Sequence, residues 1–261
     1  MALSSPYSRD FFADTERGGL TGARLVVRNL LELLPIGSVV DLGCGTGTWL
    51  AAFVEAGVDD VTGVDGDWVP RQMLNFPVER FVAHDLGQPV RLGRGFDLAV
   101  SLETAEHLPA GAADSFVASL VGLAPVVLFS AAVPGQGGTG HVNEQWPEYW
   151  ARRFGAHGYR VIDCLRPRFW HADDLASCIR QNVLLFASDL ALRSNPLLAD
   201  KAGRSPDYPL AVIHPEEFIK ATDPGLMSLR WTAARLPRVA LHAARRRLRR
   251  AVQRGGRPPE A

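Results

Sequence analysis

The sequence predicts an α/β protein built around a doubly wound, mostly parallel sheet. Short apolar runs alternate with helical patterns from residue 39 to residue 130, which is typical of parallel sheets. The first run, Val39-Val40-Asp41-Leu42, leads into Gly43-Cys44-Gly45-Thr46-Gly47 and then into a helical pattern. Glycines at alternate positions let a backbone turn sharply and approach a ligand closely. The sequence therefore predicts a strand, a tight turn and a helix N-terminus as its central unit.

The other elements follow from the same patterns. Beyond the strand–turn–helix unit at 39–56, strands are predicted at 61–65, 81–86, 96–102, 126–130, 159–163 and 182–187. Helices are predicted at 24–34, 112–123 and 148–157. Pro35 and Gly57 end the first two helices, and Gly158 caps the last. Residues 131–150 form a glycine-rich loop that becomes polar and aromatic.

The chain is predicted to consist of a main domain and an extension. Residues 1–189 form the main domain, with 1–35 as an N-terminal cap and helix. Residues 190–261 form the extension. Its first part, 190–225, contains five prolines and few apolar clusters, so we expect it to be loosely structured. Its second part, 226–254, has the pattern of a basic helix, above all between Leu236 and Gln253.

Composition narrows the range of functions. The 261 residues carry no net charge, yet residues 230–261 hold ten arginines and one acid, so the rest of the chain is acidic. An acidic body argues against nucleic acid as a partner. There is no apolar run of about 18 residues and no secretory signal. Three widely separated cysteines make no disulfide framework, and we expect a cytoplasmic protein.

The glycine turn resembles a known motif. Its Gly-x-Gly-x-Gly spacing departs from the Gly-x-Gly-x-x-Gly of dinucleotide-binding proteins. With the preceding acid and Cys44, it resembles the first motif of class I methyltransferases, which depend on S-adenosylmethionine (SAM). This resemblance implies a Rossmann-like sheet of seven strands and SAM as the cofactor. The residues that it assigns to the cofactor site in this turn are Asp41, Gly43, Gly45 and Gly47.

The same resemblance assigns further cofactor contacts. An acid at the end of the second strand accepts hydrogen bonds from ribose hydroxyls, and Asp65, followed by Gly66, stands there. Asp85 and Leu86, after the third strand, are expected beside the adenine.

A second polar cluster follows the fourth strand. Glu103, Glu106 and His107 stand at i, i+3 and i+4, so they share one face if this turn is helical. With His141 they resemble small-RNA terminal 2′-O-methyltransferases, in which such a stretch and a distal His bind a divalent ion. The resemblance implies that Glu103, Glu106, His107 and His141 hold Mg²⁺ or another divalent cation; two imidazoles favour a borderline ion over Mg²⁺. The alternative is that Glu103 lines the cofactor pocket and the other two cap a helix.

A closer resemblance covers about residues 7–187. The stretches Tyr7 to Gly19, Gly45 to Phe53, Gly140 to Trp150, Gly158-Tyr159 and Arg166 to Trp170 resemble bacterial methyltransferases of saccharide biosynthesis. Similar actinobacterial enzymes methylate mannosides, including precursors of methylmannose polysaccharides. One stretch departs from these relatives: where they often have Trp-Trp-Tyr-Ala-Gln-Asn, this chain has Ser177-Cys178-Ile179-Arg180-Gln181-Asn182.

The resemblances predict transfer of a methyl group to a saccharide hydroxyl, with a small-molecule or oligosaccharide acceptor. A sugar hydroxyl is a poor nucleophile, so a base or a metal should assist; His141 is the first candidate base and His107 the second. Trp146, Tyr149 and Trp150 offer apolar faces to a sugar ring, although core packing is the favoured interpretation of Trp150. Two other functions stay open: an N- or C-methyltransferase of a small metabolite or nucleotide sugar, and a SAM-binding sensor or scaffold without catalysis.

The basic tail allows two interpretations. Its apolar positions would let it lie on an anionic membrane, but the arginines from Arg245 to Arg250 wrap more than one helical face. The favoured interpretation is a solvated tail that docks on the acidic body. A homodimer is a further hypothesis, on which the sequence is not informative.

Overall fold

The computed structural model describes residues 9–204, 209–223 and 225, together with eight positions between 233 and 246. Residues 9–18 are described by their backbone alone. The strands are β1 (Ser38–Leu42), β2 (Asp60–Asp65), β3 (Phe81–Ala83), β4 (Leu98–Leu102), β5 (Val126–Ser130), β6 (Tyr159–Ile162) and β7 (Leu184–Ser188). The α-helices of the described residues are α1 (Arg9–Leu33), α2 (Thr48–Glu55), α3 (Ala113–Leu123), α4 (Pro147–Ala156), α5 (Arg166–Phe169), α6 (Ser177–Asn182), α7 (Asp189–Ser194), α8 (Pro196–Gly203) and α9 (Pro215–Thr222).

The seven strands form one sheet in the order β3-β2-β1-β4-β5-β7-β6. The pairs from β3 to β5 are parallel, and β7 is antiparallel to both β5 and β6. The predicted α/β fold with a seven-stranded, mostly parallel sheet is therefore confirmed. Because β7 runs the other way, its start, rather than its end, lies at the sheet edge where the parallel strands end. This edge is where open α/β sheets bind ligands.

Apolar side chains cover both faces of the sheet. On one face, Val39 of β1 and Leu98 of β4 belong to a cluster with residues of α1, α2 and α8. On the other face, Val40 and Ala99 belong to a cluster with residues of α3 and α4. Neighbouring residues of a strand point to opposite faces, so a sheet with two covered faces has continuous apolar strands. Together these clusters give the parallel strands a rigid core.

Several predicted boundaries differ from those observed. β3 ends at Ala83 rather than at residue 86, so His84, Asp85 and Leu86 belong to the loop beyond it. The first helix begins at Arg9, well before the predicted start at residue 24. The fourth helix begins at Pro147, one residue earlier than predicted, because proline is well suited to the first helical position.

The prediction of a loosely structured segment at 190–225 is wrong. This segment contains α8, α9 and all of α7 except its first residue. Leu198 of α8 is fully buried. Its prolines start helices instead of breaking them: Pro196 is the first residue of α8, and the side chain of Asn195 caps that helix by accepting from Leu198 N. Pro215 is likewise the first residue of α9.

The chain divides into two compact units, Met1–Glu217 and Phe218–Ala261, and this division falls well beyond the boundary expected at residue 189. The predicted basic helix at 226–254 lies largely outside the described residues; the eight described positions within it are helical and exposed. Among the described residues, no helix is long and apolar enough to cross a membrane.

Candidate active site

The glycine turn connects β1 to α2 at the carboxyl edge of the sheet. Gly43, Gly45 and Gly47 all have positive φ angles, of 91°, 52° and 83°. A side chain at Gly47 would also have its Cβ only 2.1 Å from the ring of Phe76, and one at Gly43 would lie 2.2 Å from Thr104 Oγ1. The turn therefore needs glycine both for its conformation and for close packing. It leaves the N-terminus of α2 open for a ligand.

Two buried acids lie beside this turn. Asp65, the last residue of β2, accepts hydrogen bonds from Gly45 N at 2.8 Å and from Gly66 N at 2.6 Å. Burial raises the pKa of Asp65, although these two hydrogen bonds oppose the shift. Burial and the nearby Asp65 raise the pKa of Asp41 well above its usual value. Acids that are costly to bury without a partner favour a bound cation.

The residues after β3 lie in a tight turn. His84 N donates to Asp65 O at 2.8 Å, so this turn is joined to the end of β2. Asp85 is exposed, and its Oδ1 accepts from Gly87 N at 2.9 Å, whereas Leu86 is buried. An exposed acid and a buried apolar side chain next to Asp65 are compatible with the predicted contact to an adenine ring.

Glu103 does not share a helical face with Glu106 and His107. The helical turn is a 3₁₀ turn of Ala105–His107, and Glu103 precedes it with a φ of 49°. The N–H of Glu103 donates to Ser130 Oγ and Ser130 O, at 3.0 and 3.1 Å. Its carboxylate oxygens accept from Gln136 Nε2 at 2.7 Å and from Asn182 Nδ2 at 3.1 Å. The left-handed backbone thus turns Glu103 towards two amides.

Glu106, His107 and His141 converge at one point. Each offers a ligand atom, and these atoms lie within 4.8 Å of one another. The rings of the two histidines meet edge to face, with centroids 4.8 Å apart. Glu106 is fully buried, and neither of its carboxylate oxygens has a hydrogen-bond partner. The structure therefore brings together three of the four predicted metal ligands, while Glu103 lies outside the group.

The protonation of these groups follows from their surroundings. Burial, followed by the charges of Glu103 and Glu144, raises the pKa of Glu106 well above its usual value. Burial and the neighbouring His141 lower the pKa of His107 to about 4. His107 is therefore neutral near pH 7.

The loop from 131 to 146 holds His141 in place. Val142 N and Asn143 N both donate to Glu106 O, at 2.9 and 3.0 Å, which fastens the loop to the 3₁₀ turn. Glu144 Oε1 lies 3.1 Å from His141 Nδ1, and His141 Nε2 lies 3.9 Å from Glu106 Oε1. Gly138 permits this position of the ring, since a Cβ there would lie 2.2 Å from His141 Nε2.

Glu144 is itself held by backbone donors. Its two oxygens accept from Gly135 N and Gly137 N, each at 2.7 Å. Burial works against ionisation of Glu144, but the hydrogen bonds from His141, Gly135 and Gly137 outweigh it and lower the pKa. An ionised Glu144 accepts a hydrogen bond from Nδ1 of His141, so that Nε2 faces Glu106 and His107.

The aromatic residues after His141 divide into two kinds. Trp150 is buried and its ring lies 5.3 Å from that of Phe129, so it is a core residue. Tyr149 stacks under the guanidinium of Arg153 at 3.5 Å. Trp146 is 41% exposed, and Val142, four residues earlier, is 67% exposed. The loop that carries His141 thus exposes two large apolar side chains.

Three polar residues of the site were not predicted: Glu144, Gln136 and Asn182. Glu144 stands three residues after His141, and this spacing within a loop was the signal that could have pointed to it. Gln136 and Asn182 could not be found in this way, since only the fold brings residues 103, 136 and 182 together.

The residues present fit a SAM molecule. The turn has the open glycine cradle that a nucleoside with a charged tail requires, and a Cβ at Gly43 or Gly47 would disrupt its packing. SAM carries a sulfonium and an ammonium group, and a positive charge nearby would oppose the burial that raises the pKa of Asp41, Asp65 and Glu103. A divalent cation also fits the donor set of Glu106, His107 and His141, because one carboxylate and two imidazoles suit a borderline metal.

The strand order and the glycine turn define the class of protein, a Rossmann-like SAM-dependent methyltransferase. Residues 19–184 match the family described as "Methyltransferase domain". The chain belongs to this family, and SAM is its cofactor.

Several solved structures are similar to this chain at low sequence identity. The sugar N-methyltransferase KedS8 from Streptoalloteichus sp. ATCC 53650 is 16% identical, with a TM-score of 0.51 over 72% of this chain and 95% of that chain. Magnesium protoporphyrin IX methyltransferase from Synechocystis PCC 6803 with bound SAH is 19% identical, with a TM-score of 0.49 over 66% and 84%. The methyltransferase domain of a bacterial Hen1 is 17% identical, with a TM-score of 0.49 over 66% and 99%. No curated protein matches the sequence.

Proposed function

We propose that this methyltransferase transfers the methyl group of SAM to a hydroxyl group of a saccharide, with His141 as the general base. The observation that carries the proposal is the hydrogen bond between His141 Nδ1 and Glu144. It directs Nε2 of His141 into the site, at the sheet edge that also carries the glycine turn.

The reaction requires an acceptor oxygen in line with the departing sulfur, at roughly 3–3.5 Å from the methyl carbon. As the new C–O bond forms and the C–S bond breaks, the hydroxyl proton passes to His141 Nε2, and S-adenosylhomocysteine (SAH) leaves. The neighbouring Glu144 carboxylate stabilises the positive charge that His141 then carries. His107, at the edge of the His141 ring, is the second candidate base.

The metal hypothesis is the alternative route to the same product: with an ion bound, His141 and His107 would be ligands instead of bases, and the ion would activate the hydroxyl. Glu106, His107 and His141 are the residues that would hold a divalent ion, and the unpartnered oxygens of Glu106 support this assignment. Such an ion would lower the pKa of a coordinated hydroxyl and orient it.

The acceptor is proposed to be a saccharide, such as a mannoside or the precursor of a methylated polysaccharide. The exposed faces of Trp146 and Val142, in the loop that carries His141, support this proposal, since a sugar ring stacks on apolar surfaces. We place the reaction in the cytoplasm, where Cys44, Cys164 and Cys178 stay as the free thiols observed here. Anionic-membrane contact by the basic tail and formation of a homodimer stay predictions.

Transfer to nitrogen is the alternative function. A neutral amine attacks without a base, whereas a hydroxyl needs one, so the His141–Glu144 pair favours transfer to oxygen. The same pair argues against a SAM-binding domain without catalysis.

The test is to incubate the purified protein with labelled SAM and a panel of mannosides, other glycans, amino sugars and RNA 3′ ends. The proposal predicts a methylated glycan whose new methyl group nuclear magnetic resonance locates on oxygen. His141→Ala should lose turnover while its affinity for SAH, measured by calorimetry, is retained. A methyl group on nitrogen or carbon, or full turnover by the variant, would refute the proposal.

A further inference from the structure

Glu103 is the centre of a buried network of amides. Asn182 Nδ2 donates to Glu103 Oε1 at 3.1 Å and to Gln136 Oε1 at 2.9 Å, and Gln136 Nε2 donates to Glu103 Oε2 at 2.7 Å. Asn182 is 3% exposed, so water competes little for these bonds. Three side chains, from the residue after β4, the loop after β5 and the end of α6, therefore form a closed triangle that includes the Glu103 carboxylate.

The network continues away from Glu103 through Gln181. This residue is fully buried, and its Nε2 donates to Asn182 Oδ1 at 3.0 Å while its Oε1 accepts from His214 N at 2.7 Å. The oxygen of the Asn182 amide is thus occupied, and its nitrogen must face Glu103. The orientation of the amide is fixed by its partners, and only a donor is presented to the carboxylate.

Two further observations indicate where in the site the Glu103 carboxylate acts. The next residue, Thr104, packs on the glycine turn, since its Oγ1 lies 2.2 Å from where a Cβ of Gly43 would be. The carboxylate of Glu103 is absent from the group formed by Glu106, His107 and His141. Burial raises the pKa of Glu103, and the two amide donors oppose this shift. The ammonium of the methyl donor would favour the ionised carboxylate further, since Glu103 precedes the residue that packs on the glycine turn.

We propose that Asn182 and Gln136 are positioning residues that hold the Glu103 carboxylate on the methyl-donor side of the site, so that Glu103 binds the donor's cationic group and not a divalent metal. The proposal rests on the assignment of Glu103 to the donor pocket and is independent of the acceptor. It also gives a role to Asn182, one of the two residues of the 177–182 stretch that match the saccharide methyltransferases.

The test is a double-mutant cycle on SAH affinity, measured by calorimetry without an acceptor. Asn182→Ala and Glu103→Gln should each weaken SAH binding by about tenfold, the loss of a hydrogen bond to a charged group. Because Asn182 acts through Glu103, the SAH affinity of the double variant should be no lower than that of the single variant with the lower affinity. Asn29→Ala is the matched control and should leave SAH affinity unchanged. Asn29 is a buried asparagine of α1, and its Nδ2 donates to Leu25 O within the same helix.

A second variant covers the case in which Asn182→Ala does not fold. Asn182→Asp keeps the shape of the side chain but faces Glu103 with a second carboxylate, and it should weaken SAH binding at pH 8. Additive losses in the cycle, or wild-type affinity in Asn182→Asp or Glu103→Gln, would overturn the proposal. Since no acceptor is present, such a failure would leave saccharide O-methylation untouched.

Discussion

The Nδ1 atom of His141 lies 3.1 Å from Oε1 of Glu144, and Glu144 is held in turn by the N–H groups of Gly135 and Gly137. The histidine is therefore oriented by a carboxylate whose own position is fixed by the backbone of the same loop. An arrangement of this kind sets which nitrogen of the ring carries the proton. It also separates the proposed role of this loop, in proton transfer, from that of the glycine turn, which we expect to bind the donor.

Glu144→Gln should reduce turnover far more than cofactor binding. The neutral amide no longer fixes the tautomer of His141, and loss of a working general base lowers kcat by about 10²–10⁴-fold. Steady-state kinetics with SAH calorimetry in parallel measure the two effects. Glu79→Gln, at an exposed position in the same unit, is the control and should retain activity. Equal kcat in Glu144→Gln and the wild type would show that the pair has no catalytic role.

Gly138→Ala should displace the ring of His141, because its Cβ would lie 2.2 Å from Nε2. We expect a loss of kcat with little change in SAH affinity. Gly155→Ala in α4 is a matched control: its Cβ meets nothing within 4 Å, and alanine in a helix stabilises by about 0.4–1 kcal/mol. Kinetics and thermal unfolding of both variants check this prediction, which fails if both keep full turnover.

Gly47→Ala should cost both stability and SAH affinity. Its φ of 83° strains an alanine, and its Cβ would also lie 2.1 Å from Phe76. Gly57→Ala isolates the first effect, since its φ is 92° but its Cβ meets nothing within 4 Å. Strain alone costs about 1–2 kcal/mol, so Gly47→Ala should be the less stable of the two in urea and should alone weaken SAH binding. Equal unfolding midpoints would contradict this account.

Added Mn²⁺ or Zn²⁺ should raise the melting temperature of the wild type if Glu106, His107 and His141 form a metal site. A ligand at 100 times its Kd stabilises by about 2.7 kcal/mol, which a thermal scan detects easily. Glu106→Ala should abolish this shift, whereas Glu103→Gln should retain it, because Glu103 lies outside the group. Loss of the shift in Glu103→Gln alone would make Glu103 a ligand.

Asp163→Ala should destabilise the fold strongly. Arg166 is 1% exposed, and its Nε donates to Asp163 Oδ1 at 3.0 Å, so the variant leaves a buried charge without its counter-ion. Breaking such a pair costs about 3–5 kcal/mol in urea unfolding. The exposed pair of Arg24 and Glu55 provides the contrast: Glu55→Ala should change the unfolding midpoint little, because water screens the pair. Similar losses in the two variants would contradict the difference expected from burial.

The sheet could be predicted from the sequence because its strands are continuous apolar runs. Val126 to Ser130 is predicted and observed with the same bounds. The helices after β7 could not be predicted in this way, because Pro196 and Pro215 were interpreted as breakers when they are first residues of helices. A proline is compatible with both roles, and only the packing of the following residues distinguishes them.

The candidate site could be predicted only in part. His107 and His141 were expected to cooperate, and their rings are in contact. The face shared by Glu103 and Glu106 was expected from helical spacing, but a residue with a φ of 49° at Glu103 turns its side chain elsewhere. A left-handed glutamate has no signature in a single sequence, and neither has a contact between residues 79 positions apart, such as Glu103 and Asn182.

Arg166 Nη1 donates to Leu210 O at 2.7 Å, and this hydrogen bond limits where segments of related methyltransferases can be joined in a chimera. The family match ends at residue 184 and includes Arg166. The buried guanidinium of Arg166 donates to the carbonyl of Leu210, which lies 26 residues beyond the end of the match. A chimera joined at residue 184 would inherit the arginine without the acceptor at Leu210. Recombination between relatives is therefore expected to preserve function only when the junction lies after Glu217, the last residue of the first unit.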